Sequence, residues 1–444
     1  MTASTDGALL SVEAARESVL AATVVLGSEL VGVSEALGRV VAEGVTARIS
    51  LPPWPNSAMD GYAIQSADTR NATEDSPARL AVTGDVRAGL ASDVIIRPRT
   101  AARIATGARL PTGADAVVPV EATTPVDDAG RQGPRGRDAT GPLPAACLVH
   151  LVVPVGGSVR HEGSDLRAGD VLLAPGSEVT AAGIALLAGA GLDHLQVHLR
   201  PNVAVLATGD EVRAPGQPLG DAGIPDANGP GLRAQVTAAG AEPVDLGIAT
   251  DELDDVLARL RRGLDLGADA LIVSGGVSVG PYDVVKTAME TLGRVDLWRV
   301  AVQPGKPFAF GTVVRPGDGR EVLVFGLPGN PVSSAVTFEL FVRPAIRRLA
   351  GRRDLLRPSD RAVLDEPVTK SHGRRAYLRV VTHHDEAGTP IRDERGRVRV
   401  RLAGGQGSHV ISALAGADAL AIIPEADDSL PAGAEVALWR LDQP

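Results

Sequence analysis

Two serines, two adjacent glycines and a carboxylate fall within one short stretch, Ser274-Gly-Gly-Val-Ser-Val-Gly-Pro-Tyr-Asp283. Gly275 and Gly276 permit turns and a close backbone approach that a side chain would block. Several N–H groups can therefore point at one anion, with Val277 between them and the hydroxyls of Ser274 and Ser278 beside them. Asp283 can only accept. An acceptor next to an anion cradle makes chemical sense when a cation bridges the two, so the stretch reads as a site for phosphate plus a hard metal such as Mg²⁺. A glycine-rich turn that merely joins two elements is the other reading, and the loop alone leaves both open.

The element feeding this loop is the run Ala270–Ser274, apolar and without polar interruption, which reads as a strand buried on both faces. Similar runs follow Arg200: Val203–Ala207, Pro243–Gly247 and Val322–Phe325 as strands, with helices over Gly231–Ala239, Leu253–Arg262 and Val284–Leu292. Alternation of this kind implies a doubly wound, mostly parallel sheet, whose ligands bind beyond the carboxyl ends of the strands. Three such ends carry distinctive loops: Thr208-Gly-Asp-Glu211, Ser274 to Asp283, and Leu327-Pro-Gly-Asn-Pro331. Asn330 and Pro331 form an N-cap and N1 pair opening a helix through Phe341, whose first N–H groups favour phosphate. Lys306, on the turn Gln303-Pro-Gly-Lys-Pro307, is a point charge suited to the same ligand or a surface lysine between prolines.

Elsewhere the sequence supplies scaffold and further polar loops. Ser11 caps a helix through Leu20, and a short helix is expected over Glu35–Val40. The segment from Leu51 to Ile64 is stiffened by prolines and carries Asn56, Ser57 and Asp60, as a site loop or a connector. Short β runs at 80–82, 94–96, 100–104, 116–120 and 148–153 define a small β domain. Within it Thr106 and Arg109 occupy Thr-Gly turns, and residues 123–146 read as a surface excursion. Arg160-His-Glu-Gly-Ser-Asp165 sets basic groups near a carboxylate, a pattern common on solvated faces. Thr180 caps an Ala/Leu-rich helix. Beyond a boundary near Gly351, residues 362–443 read as a second β domain with loops at Arg374 and Ser408, and His409 reads as structural or solvated.

The 444 residues suggest about three domains. Aromatic content of 2% with 51 Gly and 32 Pro points to Val/Leu/Ala cores and many turns, as β modules beside an α/β domain require. A net charge of −10 gives no overall attraction for nucleic acid or anionic membrane. A single cysteine, Cys147, excludes an intrachain disulfide framework. No leader or spanning segment is read, so a cytoplasmic protein is expected.

Taken in order, the motifs Pro52-Pro-Trp-Pro-Asn-Ser-Ala-Met-Asp-Gly-Tyr-Ala63, Thr106-Gly-Ala-Arg-Leu-Pro-Thr-Gly-Ala-Asp-Ala-Val117, Arg160 to Asp165, Leu206-Ala-Thr-Gly-Asp-Glu-Val212, Ser274 to Gly280, Pro304-Gly-Lys-Pro-Phe-Ala-Phe-Gly311 and Leu327-Pro-Gly-Asn-Pro-Val-Ser-Ser334 resemble the molybdopterin molybdenumtransferase family, bacterial MoeA and the gephyrin E domain. The resemblance implies a multidomain α/β plus β fold: an elongated split N-terminal domain (1–47 and 152–197), an inserted β domain (48–151), a doubly wound molybdopterin-binding α/β domain (198–350) and a C-terminal β domain (351–444). It also implies insertion of molybdate into adenylated molybdopterin with Mg²⁺ and release of AMP. A homodimer with its site between subunits follows, with possible contact to a molybdopterin adenylyltransferase. Carried over, Asp60, Thr106, Asp165, Glu211 and Asp283 are site positions, with Asp60, Glu211 and Asp283 able to hold metal or orient molybdate. Ser274, Gly275, Gly276, Val277, Ser278, Pro328, Gly329 and Asn330 would cradle pyrophosphate and pterin phosphate; Lys306, Arg374 and Ser408 would add polar contacts. The chain departs from the pattern at Pro55, Gly229, Pro281 and Gln303.

Two other functions are compatible with parts of this pattern. Molybdopterin adenylyltransferases share the α/β domain but consume ATP and lack the additional domains. An interaction scaffold of the gephyrin kind would not need Asp60 or Glu211. Tungstate, a tetrahedral dianion like molybdate, is not distinguished by the sequence.

Overall fold

Along the strand Asn202–Thr208 the side chains divide cleanly: Val203 and Val205 enter one core, Ala204 and Leu206 the other. The same division recurs in Ala270–Ser274, with Ile272 on the first face and Leu271 and Val273 on the second, and in Glu321–Leu327, with Leu323 and Phe325 against Val322 and Val324. Strands buried on both faces need a helical layer on each side. The helices Asn228–Ala238 and Pro331–Thr337 cover one face, and Leu253–Asp265 with Val284–Leu292 cover the other. Each fully buried Val or Leu contributes roughly 1.5–3 kcal/mol, so both faces of this sheet are held by their helical layers. These features come from a computed structural model that describes residues 9–136, 141–276 and 284–441.

The six strands of this sheet lie in the order Glu242–Ala249, Asn202–Thr208, Ala270–Ser274, Glu321–Leu327, Pro307–Val314 and Gly293–Arg299. The first four are parallel, as the βα alternation predicts. Two antiparallel edge strands, Pro307–Val314 and Gly293–Arg299, extend the sheet beyond the sequence expectation. From Asn202–Thr208 the chain moves outward to Glu242–Ala249, then crosses back over it to Ala270–Ser274. The winding therefore reverses between Thr208 and Ser274, the place where an open α/β sheet leaves a crevice.

Before this sheet, the chain forms a six-stranded β sheet ordered Ala116–Pro119, Gly61–Ile64, Thr100–Ile104, Ala78–Val86, Ala146–Val149 and Thr123–Val126. Cys147 is buried in its core with Tyr62 and Ile64. After it, Arg375–Thr382, Val398–Leu402, Ser359–Leu364, Glu435–Arg440 and Ala419–Ile423 close on themselves through the pairing of the first with the last, giving a small barrel. Val302–Gln303 pairs in parallel with Arg375–Ala376 and stitches that barrel to the α/β sheet.

Three local expectations change. Glu35–Val40 is not a helix: a single 3₁₀ turn, Val33–Glu35, is followed by Gly38 at φ +73°, and Val40 and Val41 bridge to Glu178 and Val197. A left-handed glycine ends helical propagation and sends the chain into pairing. Thr123–Val126 belongs to the β sheet rather than to a surface excursion, with Thr123, Thr124 and Val126 buried; its Thr and Pro composition masks a strand. Val94–Ile96 makes only an isolated bridge from Ile95 to Thr112. The caps are as read: the hydroxyls of Ser11 and Thr180 accept from Ala14 N and Gly183 N at 3.1 and 3.0 Å. Among the described residues, no helix is long and apolar enough to cross a membrane.

Candidate active site

At the carboxyl ends of the parallel strands lies a cavity of about 970 Å³, lined by all three of the strand-end loops that the sequence singles out. Thr208 donates its hydroxyl to Ser274 O at 3.3 Å, and Gly275 N donates to Leu327 O at 3.1 Å, so three strand ends are tied into one floor. Gly275 has φ +103°, and a Cβ there would sit 2.6 Å from Thr208 Oγ1 and 2.8 Å from Thr208 O. Gly276, at φ +61°, would put a Cβ 2.5 Å from Val285 Cγ2. Both glycines are therefore required by the geometry. Ser274 is 1% exposed and its hydroxyl lacks a hydrogen-bond partner among the described residues. A buried hydroxyl left this way beside a cavity is a group that a ligand can satisfy.

The lining continues through the start of the Asn228–Ala238 helix and through Pro328, Gly329 and Asn330, with Gly329 packed beside Gly275. Asp226 accepts from Gly229 N at 2.9 Å, and Asn228 Nδ2 donates to Gly329 O at 2.7 Å. This second bond pins the Pro-Gly-Asn loop to the neighbouring helix. Asn330 takes the N-cap position with Pro331 at N1, as read, although its side chain makes no capping bond.

Glu211 lines the cavity with its carboxylate folded across Gly209, where a Cβ would meet Oε2 at 2.8 Å. Asp226 and Asp251 line it too, and Asp251 exchanges hydrogen bonds with Asp210: Asp210 N to Asp251 Oδ2 at 3.3 Å and Asp251 N to Asp210 Oδ1 at 3.1 Å. Sequence reasoning assigns no site role to Asp251, Asp226 or Asn228. Asp226-Ala-Asn-Gly229 carries a visible N-cap signature, whereas the pairing of Asp210 with Asp251 requires the fold. Among the described residues the cavity presents three carboxylates and neither lysine nor arginine.

The remaining candidates fall into other groups. Asp60 Oδ1 accepts from Thr106 N at 2.7 Å and from Thr106 Oγ1 at 3.0 Å. Asn56 pairs with Arg160 on one side and bridges to Arg109 on the other, and Asp165 N donates to Leu51 O at 3.0 Å. Asp60 and Thr106 are therefore held together, Asp165 is held by Leu51 in the same N-terminal part, and none of the three lines the strand-end cavity of the same chain. Lys306 presents its carbonyl to Val300 N at 2.9 Å on a turn whose Gly305 packs on Thr337, beside the cavity rather than in its lining. Ser408 O accepts from Val332 N at 3.1 Å. Arg374 precedes Arg375, whose guanidinium joins Glu13 to Glu425. Val277, Ser278 and Asp283 lie outside the described residues.

An α/β sheet with this strand-end cavity, a β sheet before it and a small barrel after it, defines a multidomain α/β plus β class of protein. Residues 10–191 match the model for the MoeA N-terminal region (domain I and II), residues 204–348 that for a probable molybdopterin binding domain, and residues 361–441 that for the MoeA C-terminal region (domain IV). The chain belongs to the MoeA family of molybdopterin molybdenumtransferases. It is 38% identical over 423 residues to molybdopterin molybdenumtransferase 2 of Mycobacterium tuberculosis, covering 93% of this chain and 94% of that one. Identity to the Haemophilus influenzae molybdopterin molybdenumtransferase is 31%, covering 93% of each chain. The crystal structure of a molybdopterin biosynthesis MoeA protein from Pyrococcus horikosii superimposes with a TM-score of 0.77 at 30% identity, over 98% of this chain and 99% of that one.

Proposed function

We propose that this transferase inserts molybdate into adenylated molybdopterin in the cavity bounded by Thr208, Ser274 and Gly329, with release of AMP. The observation that carries the reading is the contrast inside that cavity: a glycine floor with a partnerless Ser274 hydroxyl, facing an acidic rim with no basic side chain among the described residues. A substrate that carries phosphates and reacts with a molybdate dianion cannot sit beside Glu211, Asp226 and Asp251 without a cation.

Mg²⁺ meets that requirement. It needs only one or two carboxylates, because substrate phosphates and water complete its shell. Glu211 is the described carboxylate we assign to the ion, with Asp283 and Asp60 as the further acidic positions. When bound, Mg²⁺ would offset the charge of the two reacting anions. The chain's own contribution is placement: Ser274 donates its hydroxyl, Gly275 and Gly276 let the backbone approach phosphate, and Asn228 holds Gly329 in line. Lys306, Arg374 and Ser408 act from the edge.

Because Asp60, Thr106 and Asp165 lie outside the cavity of their own chain, we assign them to the cavity of a second copy, in a cytoplasmic homodimer. Incubation of the protein with adenylated molybdopterin, Mg²⁺ and molybdate tests the reaction. Molybdate-dependent AMP release without ATP, lost in Glu211→Ala, is expected. Consumption of ATP with release of pyrophosphate, in place of AMP release, would instead indicate adenylation, and neither activity would favour a scaffold.

A further inference from the structure

The segment Gly404-Gly-Gln-Gly-Ser-His409 lies between the barrel strands Val398–Leu402 and Ala419–Ile423 and touches the α/β domain, and with three glycines it has little side-chain packing of its own. Such a stretch loses more backbone freedom on ordering than any other composition, so something outside it must hold it. The holder is a single position in the barrel. Arg379, in the strand Arg375–Thr382, is 0% exposed, and its Nη2 donates to Gly405 O and Gly407 O at 3.1 Å each. Its backbone N donates to Gln406 Oε1 at 2.9 Å, while Gln406 Nε2 donates back to Arg379 O at 3.1 Å and to Gly404 O at 2.9 Å. The held segment then presents Ser408 O to Val332 N at 3.1 Å, one of the N–H groups at the amino end of the Pro331–Thr337 helix. Three residues further on, Ile411 enters the lining of the strand-end cavity beside Asn330 and Pro331.

The electrostatics of Arg379 set it apart from a packing residue. Among the described residues it has no carboxylate partner, and its Nε makes no hydrogen bond. Burial pushes its pKa down, and only carbonyl dipoles face the charge. A buried charge carries a desolvation cost that an apolar side chain of similar volume does not. Barrel stability alone therefore does not call for arginine at this position, whereas fixing two carbonyls of one glycine strap does.

We propose that Arg379, assisted by Gln406, is a positioning residue for the transferase reaction: it fixes the 404–408 strap, which in turn fixes the Asn330–Val332 turn at the edge of the cavity where the substrate binds. The proposal rests on the placement of substrate in the strand-end cavity given above.

Three variants, Arg379→Met, Arg379→Lys and Gln406→Ala, test it by amide hydrogen exchange of residues 404–410 and by steady-state AMP release. Arg379→Met is expected to keep the wild-type melting temperature or exceed it and to speed exchange across the strap about tenfold or more. Its KM for adenylated molybdopterin should rise about 5- to 10-fold with kcat within about twofold, the pattern of lost uniform binding. Arg379→Lys, which keeps a donor, should fall between Met and wild type in both readouts. Should Arg379→Met fail to fold, Gln406→Ala carries the same expectation. Unchanged exchange would overturn the clamp, and faster exchange with unchanged KM would overturn its role in positioning. Wild-type protein that released no AMP would instead overturn the substrate placement, and the exchange readout, which needs no substrate, keeps that failure distinct.

Discussion

At the scale of single residues, the site is specified more by what is missing than by what is present. Gly275 has its Cα so close to Thr208 that a methyl group would fall inside van der Waals contact with a backbone oxygen, and its φ is one that L side chains rarely adopt. Gly275→Ala is therefore expected to push the Thr208 and Ser274 strand ends apart and lower kcat/KM by at least about 10-fold, with little loss of cooperative unfolding. Thermal unfolding measured beside AMP release separates the two effects. The glycine pair and Ser274 are visible in the sequence at the end of an apolar run, although the loop alone leaves a binding turn and a connector both open, and only the fold shows the cavity they line. The acidic rim is only partly visible there: Glu211 follows a strand directly, but Asp251 reaches Asp210 across 41 residues, a proximity that only the crossover of the sheet creates.

Elements show the same division. The strand Ala270–Ser274 and the helix Val284–Leu292 fall on the residues expected, because an uninterrupted apolar run and a 3.6-residue period are unambiguous signals. Gly293–Arg299 was missed because it leaves that helix without a break and alternates Arg294 and Asp296 with its other residues, so nothing marks a new strand. The misread helix at Glu35–Val40 is the converse, a helical composition undone by Gly38 in the left-handed region. The element that holds the site in place is the helical run from Pro331 to Leu349, whose Phe341 stacks on Phe308 at 4.6 Å between ring centroids. Phe341→Ala opens a cavity under that contact and should cost about 3–5 kcal/mol. Trp298, 5.9 Å from Phe308, reports that transition by fluorescence in a urea titration.

For the whole molecule, the division into an α/β core and β modules explains why one chain carries two sets of polar residues that do not meet. The core holds Glu211, Ser274 and Gly329 around one cavity; the N-terminal part holds Asp60 against Thr106 outside it. The family motifs made both sets visible in the sequence, but neither spacing nor composition tells which chain's copy of one set serves the other. On the function proposed above, the two sets are united between chains.

Mixing two inactive variants tests that account most directly. Asp60→Ala and Glu211→Ala are each expected to release no AMP alone, and chains dissociated and reassociated together should recover up to about a quarter of wild-type activity, since random pairing leaves half the dimers mixed, each with one intact site. Recovery that tracks the mixed fraction would place the two carboxylates in one composite site. Two inactive variants that stay inactive when shown to share dimers would contradict it.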